Sequence, residues 1–321
     1  MNTSAKWAVD NWQIPVPLGD CSVHLLVDED EKKPKDEAII HAFIMDGGKG
    51  SDGLTAEEQI LRALTAIDKA RQNWTWKFDA WVVTHWDHDH YAGVQALWTT
   101  NPEVTRNNVT LPFRDAYFRD KKPLLYCGGP KPANITILDF EIKEPDQQEP
   151  GKSTPTKNVL LGLDLFTGEH MFDANGVARR TAPTQPDQPR FCIVGANGVV
   201  AGQPDTVYMK KTPITKNEMS ILAVVYWPGG GGGKVSYFTG GDGNPDAETE
   251  GVAPFLRNNK SNKLPQGSAD MVKLDHHGSS HENLNCPDLT KTLLELLKPV
   301  NILVTPGNQY GHPSRFPTRL W

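Results

Sequence analysis

The sequence lacks the features that mark secreted, membrane and disulfide-rich proteins. Its four cysteines lie far apart in 321 residues and form no C-x-x-C pair, which favours reduced thiols over disulfides. No apolar run approaches the roughly 18 residues that a membrane helix needs, and residues 1–12 contain no apolar signal-peptide core. We therefore expect a cytoplasmic protein that neither crosses a membrane nor is secreted.

Long runs of lysine and arginine are also missing. The net charge is −6 and there is no basic tail, whereas tight binding to long nucleic acid depends on neutralising many phosphates. This composition counts against long nucleic acid as a partner and leaves a small-molecule substrate as the expected one. The chain also has no G-x-S-x-G segment, so it offers no serine-nucleophile motif of that type.

The most informative segment is THWDHDHYAG, residues 84–93, which directly follows the apolar run AWVV at 80–83. That order is typical of a buried strand that ends in a tight loop. Five side chains in the segment are of metal-ligand type: His85, Asp87, Asp89 and His90, with His88 between them. Imidazoles and carboxylates that converge in this way repel or stay unsatisfied unless a cation lies among them. Imidazole suits zinc and carboxylate suits manganese, so the segment predicts a site for either metal.

Apolar periodicity elsewhere predicts strands and helices in mixed order. Strands are predicted near residues 21–28, 39–45, 79–84, 220–226, 235–239, 271–274 and 301–304, and helices over 55–71, 92–99 and 289–297. Thr55 and Glu58 form a capping box at the first helix. Residues 100–218 show only short strand-like pieces, near 134–139, 158–165 and 190–195. Strands at both ends with helices between them predict an α/β fold of two sheets flanked by helices.

Segment 84–93 resembles the metal-binding signature of the metallo-β-lactamase superfamily, which usually reads H-x-H-x-D-H. Here Asp87 replaces the second histidine. The resulting H-x-D-x-D-H motif resembles that of the branch that contains the hydrolase domain of bacterial competence (DNA-uptake) proteins. Five further landmarks of that branch occur along the chain in the order found in the family. They are Gly19-Asp20 before an apolar strand, Asp46-Gly47-Gly48 after one, Gly240-Gly241-Asp242, His276-His277-Gly278-Ser279 and Gly311-His312-Pro313.

The resemblance implies both a fold and an activity. The fold is an αββα sandwich of two mixed β-sheets flanked by helices, formed by a single metallo-β-lactamase-like domain over residues 1–321. Residues from about 100 to 218 would be a family-specific insertion that shapes the substrate pocket. The activity is that of a metal-dependent hydrolase, in which a metal-activated hydroxide attacks the substrate.

The resemblance also implies a centre of two divalent ions, either zinc or manganese, and assigns ligands to both. His85 and Asp87 would bind the first ion, Asp89, His90 and His277 would bind the second, and Asp242 would bridge the pair. The choice between His276 and His277 as ligand stays open; we favour His277, with His276 facing the substrate. Asp89, His276 and His312 are the expected catalytic residues, and His312 would donate a proton to the leaving group.

One departure from the family concerns the first ion. Family members supply it with a further histidine from the middle of the chain, where only His170 is available, in surroundings that match poorly. Without that ligand the first site is expected to be the weaker one. Asp46 is expected either to orient metal ligands or to cap its own Gly-Gly turn. We expect His88 to point away from the ions, and His24 and His41 to be structural.

Three functions follow from these observations. The H-x-D-x-D-H variant favours hydrolysis of a small phosphoester. The first alternative is a lactonase or lactamase that opens a cyclic ester or amide with the same hydroxide. The second is a non-catalytic binding protein that retains the fold but has lost a metal, which the weak first site suggests. The oligomeric state is not predicted.

Overall fold

The computed structural model of the protein describes residues 7–145, 158–177, 179, 187–208, 215–228, 234–243, 245–258, 269–278 and 287–305. The chain folds into two compact units. Unit 1 consists of Met1–Val83, Asp87–Tyr126 and Pro132–Lys143, and unit 2 of Thr84–Trp86, Cys127–Lys131 and Glu144–Trp321. The single domain expected over residues 1–321 stays a prediction.

The described residues form fifteen β-strands, five α-helices and several short helical turns. The strands are β1 (Trp7–Gln13), β2 (Cys21–Asp28), β3 (Ile39–Asp46), β4 (Ala80–Val83), β5 (Glu103–Arg106), β6 (Val109–Pro112), β7 (Leu124–Cys127), β8 (Glu141–Lys143), β9 (Arg190–Ala196), β10 (Val199–Val200), β11 (Gln203–Val207), β12 (Leu222–Trp227), β13 (Lys234–Thr239), β14 (Met271–Lys273) and β15 (Asn301–Leu303). The α-helices are α1 (Ala56–Arg71), α2 (His88–Thr100), α3 (Phe113–Tyr117), α4 (Ala253–Asn258) and α5 (Pro287–Leu297). A π-helix over Ala247–Val252 directly precedes α4.

Unit 1 is built on a six-stranded mixed sheet with the order β1-β2-β3-β4-β7-β8. Strands β1 to β3 are antiparallel, and β3 and β4 run parallel. Helix α1 buries Ile60, Leu64 and Ile67, which recur at the spacing of one helical face. Its first turn is capped by Thr55, whose hydroxyl accepts a hydrogen bond from the Glu58 backbone N–H at 3.2 Å. The predicted helix and its N-cap are therefore confirmed.

Unit 2 contains a seven-stranded mixed sheet with the order β11-β10-β9-β12-β13-β14-β15. The pairs from β11 to β13 are antiparallel, whereas β13, β14 and β15 run parallel. Apolar residues of β9, β12 and β13 form one core with residues of the π-helix, α4 and α5. Because parallel strands end at the same edge of a sheet, the residues that follow β13, β14 and β15 are brought together.

The predicted fold class, an α/β protein with two mixed sheets flanked by helices, is confirmed. Four local predictions were wrong. Strand β1 precedes the first predicted strand, and α2 begins at His88 rather than near residue 92. Residues 134–139 form no strand, and neither do residues 158–165. Among the described residues, no helix is both long enough and apolar enough to cross a membrane.

Candidate metal centre

In unit 2, three imidazoles surround one carboxylate oxygen. The Oδ2 atom of Asp242 lies 3.5 Å from Nε2 of His277, 3.9 Å from Nε2 of His85 and 3.9 Å from Nε2 of His276. His85, His277 and Asp242 are buried, whereas the side chain of His276 is 25% exposed. His85 and His277 are 192 positions apart in the sequence (277 − 85). The fold of unit 2 brings them together.

The sheet edge explains why Asp242 and the two adjacent histidines meet. Asp242 follows β13 and His276-His277 follow β14, and these strands are parallel neighbours. Gly241 brings Asp242 close to the segment before His85, because its φ is +59° and a Cβ there would lie 2.8 Å from Cβ of Thr84. Only glycine combines that conformation with so close an approach.

The His276-His277 turn has a strained backbone. Both residues adopt left-handed conformations, with φ of 45° and 53°, which cost roughly 1–2 kcal/mol for each residue other than glycine. The Gly241 carbonyl helps to hold the turn, because it accepts hydrogen bonds from the His276 backbone N–H at 3.2 Å and from Nζ of Lys273 at 3.0 Å. Strain of this kind is common where a side chain must be aimed at a functional site.

Hydroxyl groups orient two of these imidazoles from behind. Nδ1 of His277 lies 3.0 Å from Oγ1 of Thr305, and Nδ1 of His85 lies 3.3 Å from Oγ1 of Thr84. With Nδ1 engaged, Nε2 of each ring faces Asp242. Histidines that bind metals almost always make such a hydrogen bond through the other ring nitrogen.

The donor set of unit 2 fits a divalent cation. Two atoms bound to one tetrahedral ion at about 2.1 Å lie roughly 3.4 Å apart. The separation between Oδ2 of Asp242 and Nε2 of His277 is 3.5 Å, which is close to that spacing and longer than an ordinary hydrogen bond. Buried imidazole and carboxylate are both zinc and manganese ligands. These residues can therefore hold a metal ion.

The segment that carries His85 is fixed on both sides. The Thr84 carbonyl accepts a hydrogen bond from the Ile221 N–H at 3.0 Å, and the Trp86 carbonyl accepts one from Nζ of Lys216 at 2.8 Å. The buried Trp86 indole donates to the Gly129 carbonyl at 3.0 Å. The His85 backbone is thus held by contacts from residues that the sequence motif did not indicate.

Unit 1 contains its own group of ligand-type residues. One donor atom each of Asp20, Asp46 and His90 lie within 4.8 Å of one another, and all three residues are buried. Nδ1 of His90 lies 3.0 Å from Oδ2 of Asp46 and 3.9 Å from Oδ2 of Asp20. The Asp46 carboxylate thus engages Nδ1 of His90 and orients that ring. This contact supports the orienting role expected of Asp46.

The remaining acidic residues of the motif lie at the start of α2. Asp87 is the N-cap residue and is half-buried, as is Asp89 in the first turn. Asp20 approaches this turn closely, because its N–H donates to the Asp89 carbonyl at 3.2 Å. Gly19 permits this approach, since a Cβ on it would lie 1.8 Å from that oxygen. His88 is exposed, with its ring centroid 5.6 Å from that of Tyr91.

The predicted site residues thus fall into two groups. His85, Asp242, His276 and His277 belong to unit 2, whereas Asp87, Asp89 and His90 belong to unit 1. Their assignment to two ions stays a prediction. His312, which was expected to be catalytic, lies outside the described residues. Ser279 and the Gly311-His312-Pro313 landmark also lie outside them.

The other histidines among the described residues make structural contacts. His170 is half-buried, and its Nε2 lies 2.7 Å from the Val159 carbonyl. His24 is fully buried between Ser22 at 2.8 Å and Asn11 at 2.7 Å, and burial lowers its pKa to about 3. His41 lies 3.2 Å from a carboxylate oxygen of Asp79. His24 therefore stays neutral at physiological pH and serves the packing of unit 1.

Sequence reasoning missed several residues that support the site. Thr305 directly follows the last predicted strand. Its position at the sheet edge where ligands were expected could have identified it as a supporting residue. Asp20 was noted only as a landmark. Lys216 and Glu248 lie in segments without any recognisable motif, and only folding brings them near the ligand-bearing segments.

Known proteins resemble this chain only distantly. No protein family model matches the sequence, and no curated protein matches it significantly. A search of solved structures finds similarity to a crystal structure of unliganded yeast PDE1, at 9% sequence identity over 97% of this chain and 91% of that chain. The TM-score of this match is 0.40.

Proposed function

We propose that this protein is a metal-dependent hydrolase that acts on a small phosphoester. The observation that carries the proposal is the approach of three imidazole Nε2 atoms, from His85, His276 and His277, to within 3.5–3.9 Å of one Asp242 oxygen. A buried carboxylate ringed by histidines is a ligand set for a divalent cation. Such an ion lowers the pKa of a bound water towards neutrality and polarises the oxygen under attack.

The ligand assignment follows the sequence motif. We propose two ions, zinc or manganese, with His85 and Asp87 at the first, and Asp89, His90 and His277 at the second. Asp242 would bridge the two ions. The hydrogen bonds of His85, His90 and His277 through Nδ1 support this proposal, because histidines that bind metals almost always make such a bond through the other ring nitrogen.

His276 has a different proposed role from its neighbour. Its side chain is 25% exposed while that of His277 is 3% exposed, and the more exposed ring is better placed to meet a substrate. We therefore propose His277 as the ligand and His276 as a substrate-facing group that can exchange a proton with the reacting oxygen. Asp89 and His312 are proposed as further catalytic groups from the motif alone.

The substrate class rests on charge and motif. The H-x-D-x-D-H variant favours a phosphoester over a lactone or lactam. The net charge of −6 without a basic stripe favours a small molecule over long nucleic acid. A cytoplasmic location remains part of the proposal, on the basis of the widely spaced cysteines.

An activity screen tests the proposal. The protein, stripped of metal with a chelator, is supplied with Zn²⁺ or Mn²⁺ and offered bis-p-nitrophenyl phosphate, a lactone or a lactam. We expect metal-dependent release of p-nitrophenol that His85→Ala abolishes. His170→Ala is the matched control, because that half-buried imidazole lies against a backbone carbonyl rather than a carboxylate. Turnover of the lactone or lactam alone would identify a ring-opening hydrolase instead, and metal binding without any turnover would identify a binding protein.

A further inference from the structure

Lys273 is a buried lysine to which the sequence motifs assign no role. It is the last residue of β14, and only 4% of its surface is exposed. Lysines are almost never buried to this extent unless the ammonium group is paired. Nζ of Lys273 donates hydrogen bonds to the Leu274 carbonyl at 3.3 Å and to the Gly241 carbonyl at 3.0 Å. The second bond connects β14 to the turn that follows β13 and carries Asp242.

The peptide group between Gly241 and Asp242 is held at both ends. Its carbonyl oxygen accepts hydrogen bonds from Nζ of Lys273 and from the His276 backbone N–H, the latter at 3.2 Å. Its N–H, which belongs to Asp242, donates to Oγ of Ser220 at 3.3 Å, and Ser220 is only 2% exposed. Two buried side chains from separate segments of unit 2 therefore fix the plane of one peptide group.

Gly241 makes this support necessary. Its φ is +59°, and glycine has more backbone freedom than any other residue. A peptide group next to a glycine rotates at little steric cost, and rotation of this one would turn the Asp242 side chain away from its partners. The Asp242 carboxylate lies 3.5 Å from Nε2 of His277 and 3.9 Å from Nε2 of His85, so the orientation of this peptide group decides whether the cluster forms.

We propose that Lys273 is a positioning residue of the metal centre: together with the Ser220 hydroxyl, its ammonium group fixes the Gly241–Asp242 peptide group so that the Asp242 carboxylate faces His85 and His277. This inference rests on the function proposed above. The Gly241 carbonyl also accepts the His276 N–H, so the same contact ties the turn after β13 to the turn after β14. Lys273 thus acts through the backbone on two segments that carry candidate site residues.

Metal binding by variants at the two ends of the peptide group tests the proposal. Lys273→Met keeps a long side chain without the donor, and Ser220→Ala removes the hydroxyl. We measure Co²⁺ affinity by isothermal titration calorimetry, the visible absorption of the Co²⁺-loaded protein, and stability in urea without metal. Lys273→Met should weaken Co²⁺ binding by about 10–100-fold, the usual cost of losing a group that orients a ligand. Ser220→Ala should weaken it by about 2–10-fold, as expected for one hydrogen bond between neutral groups.

The Ser220 variant separates the hydrogen bonds from an effect of charge. The buried acid Glu248 lies beside the same turn, because a Cβ on Gly240 would lie 2.5 Å from its Oε1. Lys273→Met changes the charge in these surroundings, whereas Ser220→Ala does not. The double variant should lose less affinity than the product of the two separate losses, because both side chains act on one peptide group.

Two controls lie in the same unit. Lys234→Met removes a lysine of β13 that pairs with Asp270 but is 47% exposed, and it should bind Co²⁺ as the wild type does. Asp164→Asn changes a buried carboxylate that lies 3.2 Å from Arg190. This second control should lower stability without changing Co²⁺ affinity.

Wild-type Co²⁺ affinity in Lys273→Met would overturn the inference. Wild-type affinity in Ser220→Ala would also overturn it, even if Lys273→Met does not fold, and so would separate losses that simply multiply in the double variant. Failure of the wild type to bind Co²⁺ would overturn this inference and the proposed function together. The expected losses of affinity in a protein that binds Co²⁺ but hydrolyses no substrate would support this inference and overturn only the proposed function.

Discussion

Replacement of Asp242 by asparagine is expected to lower phosphodiester hydrolysis by about 1,000-fold or more. A catalytic ion contributes several kcal/mol of charge stabilisation, and each 1.36 kcal/mol corresponds to a tenfold change in rate. The Oδ2 atom of Asp242 is the point to which three imidazoles converge, at 3.5–3.9 Å. Asparagine has nearly the same shape but no charge, so the change removes the group proposed to bind both ions.

The measurement is the steady-state rate with bis-p-nitrophenyl phosphate at saturating Zn²⁺ or Mn²⁺, together with the metal content after dialysis. Asp79→Asn is the matched control, because Asp79 also lies beside a histidine, His41 at 3.2 Å, but in a partly exposed pair of unit 1. The control should keep wild-type activity and metal content. An Asp242→Asn protein that hydrolyses the substrate at the wild-type rate would refute the metal centre.

Replacement of Asp68 by alanine is expected to lower the free energy of unfolding by about 3–5 kcal/mol, because it leaves a buried guanidinium without its counter-charge. Arg106 donates to both Asp68 oxygens, at 2.7 and 3.0 Å, and both side chains are at most 5% exposed. The Trp76 indole donates to the same carboxylate at 2.7 Å. The Arg106 guanidinium also lies 4.3 Å from the centroid of the Tyr117 ring.

Urea denaturation of the variant and the wild type measures this effect. The control is Asp139→Ala, which breaks an ion pair with Arg114 at 3.2 Å whose carboxylate side chain is 60% exposed. Exposed pairs contribute about 0–1 kcal/mol, so the control should unfold almost as the wild type does. Equal stability of Asp68→Ala and Asp139→Ala would show that the buried pair does not organise unit 1.

The secondary structure that the sequence predicted best lies where the apolar pattern is strong. Strand β2 is buried along nearly its whole length, and α1 combines one apolar face with a Thr55 N-cap. Strand β1 was missed because its residues are all half-buried and its polar and apolar residues do not alternate, so this edge strand has only a weak signal in the sequence. The early start of α2 was missed although Asp87 is of a residue type that favours the N-cap.

The candidate site was predictable only in part. Motifs that follow apolar strands located Asp242 and His277, because parallel strands bring the residues after them to one edge. Glu248 was not predictable, since a buried acid in the segment DAETEG has the same appearance in the sequence as an exposed one. The hydroxyls of Thr84 and Thr305 act through the fold, and their partners become evident only when distant segments meet.

The most direct measurement is anomalous diffraction at the zinc absorption edge from crystals grown with excess Zn²⁺. We expect a strong anomalous peak about 2.0–2.2 Å from Nε2 of His85, Nε2 of His277 or Oδ2 of Asp242, the distance at which these atoms bind zinc. A second peak should lie against Asp89 and His90. Crystals that bind zinc elsewhere, with no peak beside Asp242, would contradict the proposed metal centre.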